Sequence, residues 1–225
     1  MTSFLTQIIL LWTIRFILNY KRLHYRTIWI EYPDLEGTLR AIGAPPALVK
    51  NGRPTYALPV IVDPLRSVSS PAILSNANAI AEYLETTYPA RPVYPEGSRA
   101  LQSLFVHFIQ EVFAKPLLPI LVPLSHQRLS ERSQAHVGGA PPPQLAGPQR
   151  EQAWLAVKDQ FDFLARILDK NAQPDGNGIV AMGHEVSYAD FALCSVLCVS
   201  FLATHSVGCI DPSLCQNLDR KSFSA

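Results

Sequence analysis

Charge of either sign is scarce in this chain. Only 16% of its 225 residues are charged, and 19 lysines and arginines face 18 acidic residues, so the formal net charge is +1. A protein that binds nucleic acid or an anionic membrane surface through its charge needs a basic excess. The composition therefore excludes an electrostatic nucleic-acid partner, and we expect no membrane partner.

Cysteine is also rare, and its four copies lie close together near the C-terminal end: Cys194, Cys198, Cys209 and Cys215. A secreted disulfide scaffold spreads its cysteines through the chain, so we expect a reducing, cytoplasmic location. Cys194 and Cys198 would share a helix face, with His205 and the other two cysteines downstream. Their spacing matches no common zinc motif, and we expect no metal site.

The chain lacks a long uninterrupted apolar leader. Its first twenty residues, MTSFLTQIILLWTIRFILNY, have no basic n-region and no small-residue cleavage site, and Arg15 interrupts the apolar run. A signal peptide needs those features, and a membrane anchor needs a longer run. We therefore favour a buried first helix, with a membrane anchor as the alternative.

The first ninety residues have the pattern of a small α/β unit. Apolar residues recur with helical spacing from Leu10 to Arg22, and YRTIWIEY, Tyr25 to Tyr32, has the β-branched and aromatic content of a strand. Asp34 can cap a short helix. Two short strands, YALPVIVDP and PAILS, and a helix over 76–87 follow. Upstream, Phe4 to Leu10 is a candidate for one further strand.

After Pro95 the apolar pattern becomes helical. Three segments carry it: SRALQSLFVHFIQEVF, REQAWLAVKDQFDFLARILDK and YADFALCSVLCVSFLATH. Between the first two, VGGAPPPQLAGP, Val137 to Pro148, has too much glycine and proline for a helix or strand. The sequence thus predicts two domains, an α/β domain over 1–95 and an all-α domain over 96–225.

Two short motifs in the first domain favour a peptide-like ligand. Leu58-Pro59 opens a strand, and a cis bond there would turn the backbone N–H and C=O of Leu58 outward, where an extended peptide can pair with them. SNANAIAEYLE begins a helix at Ser75, whose hydroxyl is a good N-cap. The unpaired N–H groups of a helix start attract a carboxylate or phosphate.

The order of these motifs resembles that of the glutathione transferase family. A third motif, GHEVSYAD, Gly183 to Asp190, is similar to the family's capping box, in which Ser187 would cap a helix and Asp190 would bind the cap residue's N–H. The resemblance implies a thioredoxin-like α/β domain followed by an all-α domain. NYKRLHYRTIWIEYPDLEGTLRAIGAPP and YALPVIVDP are most similar to fungal transferases related to the glutathione-dependent etherases.

The resemblance also implies a glutathione site. Leu58 would bind the cysteinyl backbone of glutathione, and Pro59 would hold the bend. In the family an acidic residue and a serine grip the γ-glutamyl end; Asn76 and Ala77 hold those positions here. Asn76 lacks the charge and Ala77 lacks the hydroxyl, which would weaken binding by about tenfold or more. Ser75 and the helix N–H groups would substitute in part.

The beginning of the chain departs further from the family. The resemblance implies an internal first strand and, after it, a loop whose serine, tyrosine or cysteine activates the thiol of glutathione. Only eleven residues precede Trp12, which matches the family's first helix, so we expect the first strand to be missing. Ser3, Thr6 and Thr13 are the hydroxyls nearby, and none lies in a recognisable motif. The catalytic residue therefore stays unassigned.

Four further side chains have two interpretations each. Lys50 and Arg53 would either meet the glycine carboxylate of glutathione or be solvated surface charges. His107 and Phe113 would either line a pocket for an electrophile or belong to ordinary packing.

The function implied by the resemblance is conjugation of glutathione, the co-substrate, to a small hydrophobic electrophile, or glutathione-dependent cleavage of an ether. Because the family often dimerises, a homodimer is one expectation. The alternative is a transferase-like binding or scaffold protein without catalysis. The missing first strand favours that alternative, as do Asn76 and Ala77.

Overall fold

Helices dominate the structure. The computed structural model of the chain describes residues 2–50, 52–64, 70–172 and 180–204. The helices are α1 (Thr2–Tyr20), α2 (Leu35–Ala41), α3 (Ala77–Thr87), α4 (Arg99–Phe108), α5 (Leu118–Gln127), α6 (Glu131–His136), α7 (Gly147–Leu168) and α8 (Tyr188–Thr204). The strands are β1 (Leu48–Lys50), β2 (Arg53–Thr55), β3 (Val60–Asp63) and β4 (Ala72–Ser75). Short 3₁₀ or π turns occupy Tyr32–Asp34, Ile109–Phe113, Lys115–Leu117 and Asp169–Asn171.

The strands form two antiparallel pairs. β1 and β2 make a short hairpin that the sequence pattern does not predict. β3 pairs with β4, and Val60 lies opposite Ser75. This register places Pro59, which precedes β3, and Asn76, which follows β4, at the same end of the pair. The two motifs predicted to bind one ligand are therefore neighbours in space.

The predicted strand over Tyr25 to Tyr32 is wrong. Residues 23–31 are irregular, and within the described residues no strand pairs with them. Phe4 to Leu10, the candidate for a further strand, belongs instead to α1. A strand needs a hydrogen-bonded neighbour, and β-propensity alone does not supply one. Ile28 and Trp29 consequently stay 74% and 51% exposed.

The first helix is buried, as the sequence predicts, and it begins at Thr2 rather than near Leu10. Helical spacing brings apolar side chains of α1 onto the face that joins the core: Leu5, Ile9, Ile14 and Ile17. This face packs mainly against α8. Within the contact, the Thr13 hydroxyl donates to Ser195 Oγ at 2.9 Å. Thr13, a polar residue on the core-facing side of α1, is therefore paired across the core.

One helical run in the described residues, Arg99–Gln127, is long and apolar enough to cross a membrane. Core helices of globular proteins meet the same test of length and composition. Val106, Ile109 and Leu121 of the run lie in the protein core, whereas Leu101 and Leu104 are exposed.

The helices predicted for the second half are present. The sequence pattern does not predict α5 and α6, which lie between the first two of these helices. The second half as a whole supplies most of the core, including Val106, Phe113, Leu121, Val157, Leu164 and Val196. The predicted loop before α7 is irregular from 138 to 146, but Gly147 and Pro148 belong to the first turn of α7. Proline is accepted there because a helix does not use the first N–H groups internally.

A buried ion pair joins the end of α1 to α3. Lys21 Nζ lies 2.8 Å from Glu85 Oε2, and the Lys21 side chain is fully buried. The ammonium also donates to the carbonyl oxygens of Tyr88, at 2.9 Å, and Arg91, at 3.2 Å. Glu85 in turn accepts the N–H of Val93 at 3.1 Å. Both charges thus have several partners, which a buried pair needs.

Val93 connects this ion pair to the helical half. Its carbonyl oxygen accepts the N–H of Tyr188, the first residue of α8, at 2.8 Å. The Gln102 side chain of α4 donates to the same carbonyl at 3.4 Å and accepts the N–H of Ala189 at 3.1 Å. One core cluster spans both halves of the chain. The division into domains over 1–95 and 96–225 stays a prediction.

The predicted capping box at the start of α8 is present in part. Asp190 Oδ2 accepts the backbone N–H of Ser187 at 2.9 Å, as expected for the reciprocal contact. The Ser187 hydroxyl, however, donates to the same Asp190 oxygen at 2.8 Å, where a cap would accept a helix N–H. Asp190 Oδ1 also accepts the N–H of Ala181 at 2.7 Å. A buried carboxylate that accepts three donors organises this turn.

Candidate functional site

The candidate site lies at the end of the β3–β4 pair where Pro59 precedes β3 and Asn76 follows β4. The Leu58-Pro59 peptide bond is cis, the isomer whose consequence the sequence analysis considers. Leu58 is partly buried, and its N–H is not directed into a β-ladder. This end of the pair thus offers a backbone donor on one side and a helix start on the other.

The Leu58 N–H already has a partner within the chain. It donates to the side-chain oxygen Oε1 of Gln7, in the first third of α1, at 3.2 Å. The Gln7 side chain also hydrogen-bonds the Tyr32 phenol. Burial raises the pKa of Tyr32, and the Gln7 contact opposes that shift in part. Tyr32 is therefore a protonated, neutral group beside the site at physiological pH.

Ser75 is not the N-cap of α3, which corrects the prediction. It is the last residue of β4 and is buried, and its hydroxyl donates to the carbonyl oxygen of Pro45 at 2.9 Å. The hydroxyl thus supports the loop that follows α2. The cap is one residue later, because α3 begins at Ala77 and Asn76 is the non-helical residue directly before it.

Asn76 is the N-cap of α3. Its Oδ1 accepts the N–H of Asn78 at 2.9 Å, and its φ is +77°. Its ψ is 124°, outside the left-handed helical region that asparagine tolerates, so the cap backbone has a rarely populated conformation. Ala77 follows as the first helical residue and is 3% exposed. The cap uses one N–H of the first turn, so the Ala77 N–H stays available at the helix mouth.

The mouth of α3 is also tied to α8. The Tyr188 hydroxyl donates to Asn78 Oδ1 at 2.6 Å, and its ring packs on Tyr94 with centroids 5.3 Å apart. Burial raises the pKa of Tyr188 to about 12, so the phenol remains a donor at neutral pH. The capping-box motif indicates where α8 begins, but no sequence signal indicates this partner for Tyr188.

The hydroxyls considered as nucleophile activators differ in burial and in position on α1. Thr13 is buried and donates to Ser195, on the side of α1 that faces α8. Thr6 lies on α1 and is exposed, and the side chain of Ser3 lies outside the described part of the structure. The catalytic residue stays unassigned.

The remaining candidate binding residues differ in how buried their side chains are. Phe113 is 1% exposed, and its ring packs on Phe161 with centroids 5.0 Å apart, so packing accounts for it. His107 is exposed on α4, and Arg53 is exposed on the β1–β2 hairpin. The Lys50 side chain lies outside the described residues.

No group of three metal-binding side chains occurs among the residues that the structure describes. His205, Cys209 and Cys215 lie outside them, so the expectation of no metal site stays a prediction. Burial and the nearby Asp190 raise the pKa of the Cys194 thiol. This shift disfavours the nucleophilic thiolate form of Cys194.

A polar clasp, defined here as Glu31, Asp34, Ser130, Arg132 and Ser133, joins the loop before α2 to α6. Glu31 Oε2 accepts the hydroxyls of Ser130 at 2.6 Å and Ser133 at 2.7 Å. Arg132 binds Asp34 through two nitrogens, at 2.5 and 2.6 Å. Asp34 was predicted to cap α2, but its side chain makes no cap hydrogen bond. For the Asp34 carboxylate, the bidentate guanidinium of Arg132 is a stronger partner than a backbone N–H at the start of α2.

The clasp predicts a dependence of stability on pH. Hydrogen bonds from Ser130 and Ser133 lower the pKa of Glu31, and the hydrogen bond from Arg132 lowers that of Asp34. The contribution of these two carboxylates to the unfolding free energy is therefore complete above the ordinary carboxyl pKa. It is lost as the pH falls through their lower pKa values in the folded state. Urea unfolding at a series of pH values from about 6 to about 3 measures this dependence of the unfolding free energy on pH.

The variant Glu31→Gln is the comparison for this prediction. It keeps the shape of the side chain but does not titrate. We expect the difference in unfolding free energy between wild type and variant to be small, positive at neutral pH, and to vanish in acid. A difference that is constant with pH would contradict the assignment.

Two family models match the chain. The glutathione S-transferase N-terminal domain matches residues 11–87, and the glutathione S-transferase C-terminal domain matches residues 100–205. The chain belongs to the glutathione S-transferase family. The resemblance drawn from the sequence motifs is confirmed, and so is the fold class, a thioredoxin-like α/β domain with an all-α domain.

Individual members of this family are similar to the chain in sequence and in structure. The glutathione S-transferase-like protein ustS of Aspergillus flavus is 28% identical over 197 residues, which cover 82% of this chain and 70% of ustS. Glutathione transferase GSTFuA3 of Phanerochaete chrysosporium is 31% identical with a TM-score of 0.75, over 92% of this chain and 82% of its own.

A further transferase structure contains glutathione itself. CsGST83044 of Ceriporiopsis subvermispora was solved in complex with glutathione; it is 32% identical with a TM-score of 0.74, over 91% of this chain and 83% of its own. These named relatives are fungal proteins, and their similarity extends over both halves of this chain.

Proposed function

We propose that this protein binds glutathione and conjugates it, through its sulfur, to a small hydrophobic electrophile, or uses it to cleave an ether. The observation that carries the proposal is the meeting of the Leu58 backbone and the start of α3 at one end of the β3–β4 pair, in a member of the transferase family. Glutathione would be the co-substrate.

The proposed contacts divide glutathione between backbone and helix end. The Leu58 N–H would pair with the cysteinyl carbonyl, and Pro59 would hold the bend that exposes it. Asn76 and the Ala77 N–H would hold the γ-glutamyl end, whose carboxylate suits the positive end of a helix. Ser75 would contribute only its backbone, because its hydroxyl is used by Pro45.

The alternative is a transferase-like binding or scaffold protein without catalysis. Its support is that no thiol-activating hydroxyl is recognised, and that Ala77 stands where the family carries a serine. The Leu58 N–H, moreover, is held by Gln7. Binding and turnover therefore need separate measurements.

The substitution Ala77→Ser tests the proposed γ-glutamyl contact. We expect it to strengthen glutathione binding roughly ten- to a hundredfold, because a hydrogen bond from a hydroxyl to a carboxylate contributes about 1.5–3 kcal/mol. Isothermal titration measures the dissociation constant. Ala156→Ser, the same change at an exposed position of α7, is the matched control and should leave binding unchanged.

Three results of this titration have different meanings. Binding by the wild type that tightens in Ala77→Ser supports the proposal, and loss of an electrophile's absorbance with glutathione then tests catalysis. Binding without turnover of a broad electrophile panel favours the scaffold alternative. Folded wild type and Ala77→Ser that both fail to bind millimolar glutathione would refute the proposal.

Location and assembly are further parts of the proposal. We propose a cytoplasmic protein, on the ground of its few, clustered cysteines. We also propose a homodimer, which sedimentation of the purified protein would test.

A further inference from the structure

The N-terminal part of α1 reaches the candidate glutathione site. Residues 2–11 continue the helix upstream of Trp12, and Gln7 projects from this part to the Leu58 N–H at 3.2 Å. Leu5 and Ile9, two positions to either side of Gln7, are 0% and 7% exposed. The packing of these neighbours fixes the backbone that carries Gln7, so the contact does not depend on a loose terminus.

The side chain of glutamine is chemically a peptide group. Its Oε1 is an amide carbonyl oxygen, and its Nε2 carries amide hydrogens. In this site Oε1 accepts the Leu58 N–H, which is the bond proposed for the cysteinyl carbonyl of glutathione. The same side chain hydrogen-bonds the Tyr32 phenol. Gln7 therefore makes a backbone-like contact where a peptide ligand would make one.

We infer that Gln7 is an intramolecular competitor of glutathione at the Leu58 backbone. This inference rests on the proposed function. The Leu58 N–H has a single hydrogen, so glutathione pairs with it only after the Gln7 amide has turned away. The measured dissociation constant is then the intrinsic one divided by the fraction of molecules in which Gln7 is displaced.

The variant Gln7→Leu tests the inference. Leucine has a similar volume and favours a helix, but it neither accepts nor donates a hydrogen bond. We expect isothermal titration to give a glutathione dissociation constant roughly three- to tenfold lower than that of the wild type. Asn19→Ala, at an exposed position of the same helix, is the matched control and should bind like the wild type.

Amide hydrogen exchange at Leu58 supplies a readout that needs no ligand. Without glutathione, exchange at this amide should be faster in Gln7→Leu than in the wild type, and Asn19→Ala should match the wild type. If Gln7→Leu destabilises the fold as a whole, Gln7→Ala, which removes the same amide, repeats both measurements.

The possible outcomes separate the inference from the proposed function. Faster Leu58 exchange together with tighter binding in Gln7→Leu supports the inference. Equal, measurable binding in wild type and variant overturns it and leaves glutathione binding intact. If Leu58 exchanges faster in the variant and neither protein binds millimolar glutathione, the proposed function fails and the inference fails with it.

Discussion

Replacing Lys21 by methionine is expected to lower the free energy of unfolding by about 3–5 kcal/mol. Methionine has a similar length but no charge, so the substitution leaves Glu85 in the interior without its cation. The carbonyl oxygens of Tyr88 and Arg91 lose their charged donor as well. Urea unfolding followed by circular dichroism measures the change.

Two further variants isolate the buried ion pair. The double variant Lys21→Met with Glu85→Gln removes both charges and should recover part of the loss, because the cost of a broken pair is mostly the unpaired charge. Lys158→Met breaks an exposed pair with Asp162 on α7 and should have no measurable effect. Equal stabilities of Lys21→Met and Lys158→Met would contradict the burial of the pair.

Replacing Asp190 by alanine is expected to lower the free energy of unfolding by about 3 kcal/mol. The substitution removes the acceptor of the Ser187 and Ala181 backbone N–H groups, and it leaves both without a partner at the buried start of α8. Because α8 packs along α1, the loss affects the whole fold. Denaturant unfolding measures this change too.

Asp190→Asn and Ser130→Ala are the comparisons for this prediction. Asparagine keeps one acceptor oxygen, so its effect should be intermediate. Ser130 caps α6, a short helix at an exposed position, and its removal should cost less than the removal of Asp190. An Asp190→Ala protein as stable as Ser130→Ala would show that the capping box does not anchor α8.

The features that the sequence predicts well depend on neighbours in the chain. The helical periodicity after Pro95 predicts the long helices, and the spacing of Ser187 and Asp190 predicts their contact across one helical turn. Strands β3 and β4 follow from short apolar runs between turn residues. For the helices and the capping box, the interacting groups are within a few residues, where the backbone geometry is fixed.

The predictions that failed depend on distant partners. Tyr25 to Tyr32 has the composition of a strand, but the chain brings no described strand beside it. Asp34 has the position of a helix cap, but Arg132, 98 residues later, takes its carboxylate. Both residue patterns are compatible with two structures, and a long-range contact decides between them.

The sequence by itself determined the family, the helices other than α5 and α6, and the two motifs that meet at the candidate site. Only the tertiary structure decided how that site is used within the chain: Ser75 donates to Pro45, Tyr188 donates to Asn78, and Gln7 takes the Leu58 N–H. The physical reason is that periodicity and capping are local, whereas the partner of a buried donor depends on which distant segment the packed core brings within hydrogen-bond distance.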